Sequence, residues 1–397
     1  LWRTPSVILL CGALVLSVSL GVRHAFGLFL TPMSMDLGWG RETFALAIAF
    51  QNLVWGISQP FVGRLADRFG AGWVVLGGAH LYALGLFMMG SVDSELSLII
   101  SAGFIIGIGL SGTTFPVVFG VISRSLPAKK RSWAMGVAMA VGSLGQFVLL
   151  PGSNMLISNT GWSNALLALA VLSLVMLPLS VALMEPKKEK PEDVLPLREV
   201  LGEAMHHKGF WLLSFGFFVC GFQVVFIGTH LPAFLMDSGL GLAIGAMTLA
   251  LIGLFNIPGS YLAGFLGGFY SKPLLLSGIY LGRIVVIGIF LFFPLSTWSA
   301  YFFSIAMGVL WLSTIPLTNG TVASIFGVNN LSMLGGVVFL FHQLGAFLGG
   351  WLGGYVYDST GNYDIVWLVA MGLSLIAAVL NFPIKEQPVP RLVDVNG

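Results

Sequence analysis

Apolar runs of about twenty residues follow one another along the whole chain, separated by short breaks rich in glycine, proline and charge. Twelve such runs can be placed, over residues 6–31, 42–62, 72–92, 96–121, 132–156, 163–184, 209–235, 242–265, 273–295, 298–320, 331–356 and 363–383. A helix rises about 1.5 Å per residue, so about 20 apolar residues cross a hydrocarbon core ~30 Å thick. Each run therefore predicts one membrane-spanning helix, and the chain an all-α membrane protein with twelve of them. Composition agrees, since 57% of the 397 residues are hydrophobic and only 9% are charged, against about 25% charged in a soluble domain. The 52 glycines suit helices whose backbones approach closely in lipid. Cys11 and Cys220 both fall inside apolar runs, which points to packing rather than a disulfide framework. The first run is too long for a signal-peptide core and is expected to stay as the first helix.

The one long polar segment, Glu185 to Lys208, divides the spans six and six. It predicts an N-terminal bundle over 1–184, a cytoplasmic linker over 185–208 and a C-terminal bundle over 209–397. Basic residues collect on the cytoplasmic side of membrane proteins. With the N-terminus placed there, fifteen of the 18 lysines and arginines face the cytoplasm and only Arg41 the other side, with Arg23 and Arg283 inside spans. Both termini are thus expected in the cytoplasm, in a plasma membrane of the bacterial inner-membrane kind. A miscounted span would scramble this asymmetry.

The two halves repeat at an offset of 200–201 residues. Thr31-Pro-Met-Ser-Met-Asp36 after the first span corresponds to Pro232-Ala-Phe-Leu-Met-Asp237 after the seventh. Gly107, Pro116 and Gly120 match Gly308, Pro316 and Gly320; Leu144-Gly145 and Phe147 match Leu344-Gly345 and Phe347; Thr160-Gly161 matches Thr360-Gly361. Parallel six-helix repeats of this kind form transporters with the substrate site near the midplane between halves.

Between spans 2 and 3 stands Gly63-Arg-Leu-Ala-Asp-Arg-Phe-Gly70, a charged turn in which Asp67 can cap a helix or pair with Arg64 or Arg68. The segment resembles the signature loop of the major facilitator superfamily, which implies a cytoplasmic gating role for Gly63, Arg64, Asp67 and Arg68. The matching Gly264-Phe-Leu-Gly-Gly-Phe-Tyr-Ser-Lys272 keeps the glycine without the charges. Phe26-Gly-Leu-Phe29 and Asp36-Leu-Gly-Trp-Gly-Arg-Glu42 resemble, more narrowly, the monocarboxylate transporter and oxalate–formate antiporter branch. That resemblance implies a substrate-handling and proton-handling role at His24, where the branch carries a lysine. The branch's aspartate–arginine pair in helix 8 is absent from Gly253-Leu-Phe-Asn-Ile-Pro258, leaving Asn256 as a neutral substitute. At the depth of a helix 11 lysine stand His342 and Gln343.

All 16 acidic residues fall in loops or at span ends, whereas Arg23, Arg283, His24, His80, His230 and His342 lie within spans. A charge at mid-membrane costs about 2.5–3.5 kcal/mol on insertion scales. An interior holding fixed positive charge and no carboxylate lacks a counter-ion, which an anionic substrate can supply. Arginine is always charged and can hold a carboxylate bidentately. The expected substrate-binding residues are Arg23, His24, Asn256, Arg283, His342 and Gln146. Each has a structural alternative: Arg283 lies on a peripheral helix and can bond carbonyls there, Asn256 can bond carbonyls freed by Pro258, and a histidine can bridge two helices. Arg23 and His24, being adjacent, project about 100° apart. Gln51 and Gln223 lie in the right depth range, and Thr113 to Pro116 and Trp311 to Pro316 break helices 4 and 10 at repeat-related points.

Together these features predict a secondary transporter of small organic anions, monocarboxylates in the first instance, working by alternating access as a monomer in lipid. If transport is a symport with protons, His24 or His342 must carry them, because imidazole alone titrates near neutral pH. An exchanger without proton coupling remains the alternative. A cation-exporting drug pump would want a buried acid, and a membrane sensor a longer loop or tail than the roughly 24 and 14 residues available here. No nucleotide-binding loop, metal-ligand spacing or nucleophile–base arrangement occurs, so neither enzyme chemistry nor a cofactor is expected. The basic run Lys129-Lys-Arg131 is topological charge and no nucleic-acid site.

Overall fold

The computed structural model describes residues 3–185 and 197–390, to which all structural statements here apply. Residues 186–196 of the linker, with Lys187, Lys188 and Lys190, and the tail from Arg391 lie outside the described residues. Helix α1 (Pro5–Ala25) runs through a 3-10 turn into a short helix at Leu30–Leu37. It is followed by α2 (Arg41–Phe69), α3 (Ala71–Met89) and α4 (Glu95–Ser125). Next comes a helical stretch of 55 residues, Ala128–Ala182, which at about 80 Å is far too long for one crossing. Gly161 bends it with φ 82°, a left-handed value that glycine adopts without strain. It is therefore two spans, α5 (128–160) and α6 (162–182). The second half holds α7 (Lys208–Asp237), α8 (Leu242–Leu266), α9 (Lys272–Phe292), α10 (Thr297–Phe326), α11 (Leu331–Thr360) and α12 (Asp364–Asn381). The twelve expected helices are all present, and no strand occurs among the described residues.

Several helices extend past their apolar windows, α2 by seven residues beyond the expected 62. Polar side chains at helix ends continue a helix readily when they find partners. The repeat reappears in the breaks: α4 leaves helical geometry at Thr114 (ψ −178°) and α10 at Trp311 (ψ −81°). Within the halves, α1 packs on α5 and α7 on α11, and across the halves α2 packs on α11 and α5 on α8. Glycines set these approaches. A Cβ on Gly336 of α11 would stand 3.0 Å from the Gln59 carbonyl oxygen of α2, and one on Gly136 of α5 2.8 Å from Gly264 Cα of α8.

We call the face where α6 ends and α7 begins the linker face, and the other the distal face. The expected charged turn at 63–70 is the last part of α2, and the turn itself is made by Gly70 alone (φ 97°). Asp67 pairs with neither Arg64 nor Arg68. Its Oδ1 meets Arg124 Nη1 at 2.7 Å, and its Oδ2 accepts the Met333 N–H of α11 at 3.0 Å. Arg64 reaches across instead to Asn330 Oδ1 (2.9 Å), while the Arg68 guanidinium lies over the Phe69 ring. The reason is helical geometry, which turns Asp67 inward to a position with no exposure. Arg124 also grips Glu185 through two bonds of 2.8 and 2.9 Å, and Glu185 accepts the Ala71 N–H at the start of α3. Glu386 repeats that cap on α9, taking the Lys272 N–H (2.9 Å) and its ammonium (2.8 Å). Carboxylates at helix N-termini are favoured by the helix dipole.

Candidate functional site

On the distal side of the α2–α11 seam the halves part, and a cavity of about 80 Å³ opens between α1, α2, α7 and α11. It shares Gly27, Leu30, Ala45, Ala49, Thr229 and Gly350 with a wider vestibule of about 390 Å³, so the two adjoin on the distal side. At the linker face the same seam is shut by the Arg64–Asn330 and Asp67–Met333 bonds.

Helix α1 brings both Arg23 and His24 to the cavity wall, although adjacent residues diverge around a helix. Arg23 Nη2 donates to Asn52 Oδ1 of α2 at 3.0 Å. Its Nε is buried and has no partner. His24 Nδ1 donates to the Leu20 carbonyl oxygen (2.7 Å). From α11, Gln343 Nε2 donates to the Asn52 carbonyl oxygen (3.1 Å) and lies 3.3 Å from its Oδ1. Asn52 thus joins a cavity cation to the opposite half.

His342 also lines the cavity, its Nδ1 donating to Gln343 Oε1 (2.9 Å). The ring sits between Phe217 and Phe339, with centroids 4.6 and 5.1 Å away. That tautomer leaves a lone pair on the buried Nε2, which has no hydrogen-bond partner. Below lie Trp55, Phe115 and Phe339, with ring centroids 4.7 Å apart for Trp55–Phe339 and 4.8 Å for Phe115–Phe339. Trp55 Nε1 donates to Gln59 Oε1 (2.9 Å), which fixes the indole.

The other expected residues stand elsewhere. Arg283 is fully buried behind the cavity, within the second half. Its Nη1 donates to Gln223 Oε1 (2.9 Å), and its Nη2 to the carbonyls of Leu310 (2.8 Å) and Trp311 at the break of α10. The guanidinium also lies 5.2 Å over the Tyr280 ring. Asn256 takes the Leu312 N–H (2.9 Å) and the Ser260 hydroxyl (3.0 Å) on Oδ1, and donates from Nδ2 to Ser143 Oγ (2.7 Å). Gln146 packs on Gly253 at the α5–α8 contact, its Oε1 buried without a partner. None of these three lines the cavity. Gly63, Arg64, Asp67 and Arg68 lie at the linker face.

Asn52, Trp55, Phe115 and Phe339 are the residues that sequence reasoning passed over. A signal existed in the spacing of Asn52, Trp55 and Gln59, one stripe of hydrogen-bonding groups along α2. Gln51 drew notice instead, yet it turns away and donates to the Ala102 carbonyl oxygen (2.7 Å).

Residues 9–349 match the family model of the Major Facilitator Superfamily. The chain belongs to that superfamily. This transporter is 27% identical over 388 residues to an uncharacterised MFS-type transporter, YcxA, of Bacillus subtilis, covering 92% of each chain. It is 26% identical over 381 residues to monocarboxylate transporter 11 of Mus musculus, covering 90% of this chain and 82% of that one. The fold matches a solved structure of the E. coli fucose:proton symporter with TM-score 0.70 at 14% identity, over 95% of this chain and 97% of that one. The major facilitator transporter described here is thus an integral membrane protein that moves small molecules, and its relatives are named as transporters, not as enzymes.

Proposed function

We propose that this transporter carries a small organic anion, a monocarboxylate, by alternating access between a bundle over 1–184 and a bundle over 209–397. The observation that carries the reading is Arg23: a permanent cation in the cavity wall, with a buried unpartnered Nε and no carboxylate among the lining residues. A substrate carboxylate would complete that site by taking Nε and displacing or sharing the bond to Asn52. The monocarboxylate name borne by one relative supports the same substrate class. In this reading the linker face is cytoplasmic, as the charge asymmetry expects, and the membrane is a bacterial inner membrane. The open cavity is then the outward-facing state.

His24 and His342 are the groups available for proton coupling, both in the cavity wall. Uptake into proteoliposomes tests both parts. Charge-assisted bonds contribute about 1.5–3 kcal/mol, so Arg23→Gln should weaken carboxylate binding by roughly 10- to 150-fold. Unchanged anion uptake by Arg23→Gln overturns the assignment. A protein with His24 and His342 both replaced by glutamine should lose its response to an imposed pH gradient while still catalysing counterflow. If it keeps that response, the protons travel another way.

A further inference from the structure

Resting on the anion reading, we infer that the preferred substrate is a monoanion with an aromatic or similarly broad apolar body, and neither a zwitterion nor a dianion. The cavity wall supplies one permanent charge, Arg23, and its polar side chains otherwise are His24, Asn52, Thr229, His342 and Gln343. Two of these are already committed: Asn52 accepts from both Arg23 and Gln343, and Gln343 accepts from His342. A second carboxylate would find no second permanent cation. An ammonium group would find no carboxylate among the lining residues, and an unpaired charge taken from water into such a site is strongly disfavoured.

The rest of the wall selects for shape. Trp55, Phe115 and Phe339 form a contiguous aromatic surface, Phe115 edge-on to Phe339 at 86° and the His342 ring stacked on Phe339 at 21°. The Trp55 N–H is satisfied within α2 by Gln59, so the indole presents its apolar body to the cavity and no donor. The Trp55, Phe115 and Phe339 rings of this surface offer nothing to a substrate hydroxyl and gain most from a ring, which can take edge-to-face contacts with them. Its residues come from α2, α4 and α11, so a ring lodged there touches both halves. A carboxylate on Arg23 alone would touch one.

Binding to the purified full chain, measured by calorimetry with phenylacetate, acetate, phenylalanine and malonate, tests the inference. Phenylacetate should bind at least tenfold more tightly than acetate, and phenylalanine and malonate at least tenfold more weakly than phenylacetate. Phe115→Leu should narrow the phenylacetate-to-acetate ratio at least threefold, and Arg23→Gln should weaken both ligands. Acetate equal to phenylacetate, or phenylalanine or malonate matching it, overturns the inference and leaves the anion reading standing. A ratio unchanged in Phe115→Leu removes that wall from specificity and overturns it too. Carboxylate binding that ignores Arg23→Gln overturns the anion reading itself.

Discussion

Asn256 on α8 donates a 2.7 Å hydrogen bond to Ser143 on α5, and so ties the two halves together at a point where neither residue touches the cavity. Its other end accepts the Leu312 N–H just past the break in α10. One side chain therefore links a helix of the opposite half to a broken helix of its own. Replacing it with leucine keeps the branched shape and strips the bonds, leaving a buried amide N–H unsatisfied at about 1–3 kcal/mol. Asn256→Leu should lower the thermal midpoint and slow uptake, with substrate affinity within about threefold of the parent. Loss of substrate binding by a folded Asn256→Leu protein would instead put the residue in the site.

Asp67 has no exposure and depends on Arg124. Removing one partner of a buried pair strands the other charge, at about 3–5 kcal/mol. Arg124→Gln should open the linker face, because Asp67 also holds the start of α11 through the Met333 N–H. In a background with Cys11 and Cys220 replaced by serine, Ser332→Cys reports this as faster labelling by a polar thiol reagent. Adding Asp67→Asn should restore part of the lost stability, since the stranded charge is gone.

Two glycines separate gating from folding. A Cβ on Gly63 would run into the Ser332 carbonyl of the other half, whereas one on Gly345 would run into the Phe218 carbonyl of its own. Overpacking a close contact costs about 1–3 kcal/mol or more. Gly63→Leu should give a folded protein that cannot close its linker face and does not transport. Gly345→Leu should give little folded protein at all. Size-exclusion profiles and vesicle uptake distinguish the two.

Arg283 holds the break of α10 through a guanidinium fork on Gln223, Leu310 and Trp311. Lysine is a point charge and cannot span those acceptors. Arg283→Lys should lower the thermal midpoint, by about 3 kcal/mol or more when converted to stability, without changing which anions compete for uptake. A stable Arg283→Lys protein that had lost only carboxylate binding would place Arg283 on the substrate path.

Span number, the twofold repeat and the broken helices 4 and 10 were legible because they depend on quantities carried along the chain: apolar length, charge between runs, and the spacing of Gly and Pro. Arg23 was legible too, since a cation at mid-membrane calls for a counter-ion whatever surrounds it. The side to which each polar residue points was not legible. In a soluble helix the apolar stripe marks the inner face, but here lipid and protein interior are both apolar and the spans are apolar all round. Gln51 and Asn52 are neighbours of similar chemistry, and only packing sends one to the Ala102 carbonyl and the other to Arg23. Arg283 met the same ambiguity; beside Gln223 Oε1, its partners are backbone carbonyls freed by the α10 break, which leave no trace in residue identity.

Sequence alone thus determined that this chain is a twelve-helix membrane protein built twice over, with unpaired positive charge inside it. Bilayer thickness and the cost of burying charge act on each span separately, so those conclusions needed no neighbours. The tertiary structure decided that Arg23, His24 and His342 share one cavity while outside it Arg283 and Asn256 tie helices together and Gln146 packs at the α5–α8 contact. It also decided that Asp67 is answered by Arg124 and Met333. Those assignments depend on helix rotation and on glycine-set approaches between segments far apart in the chain, which no single span contains.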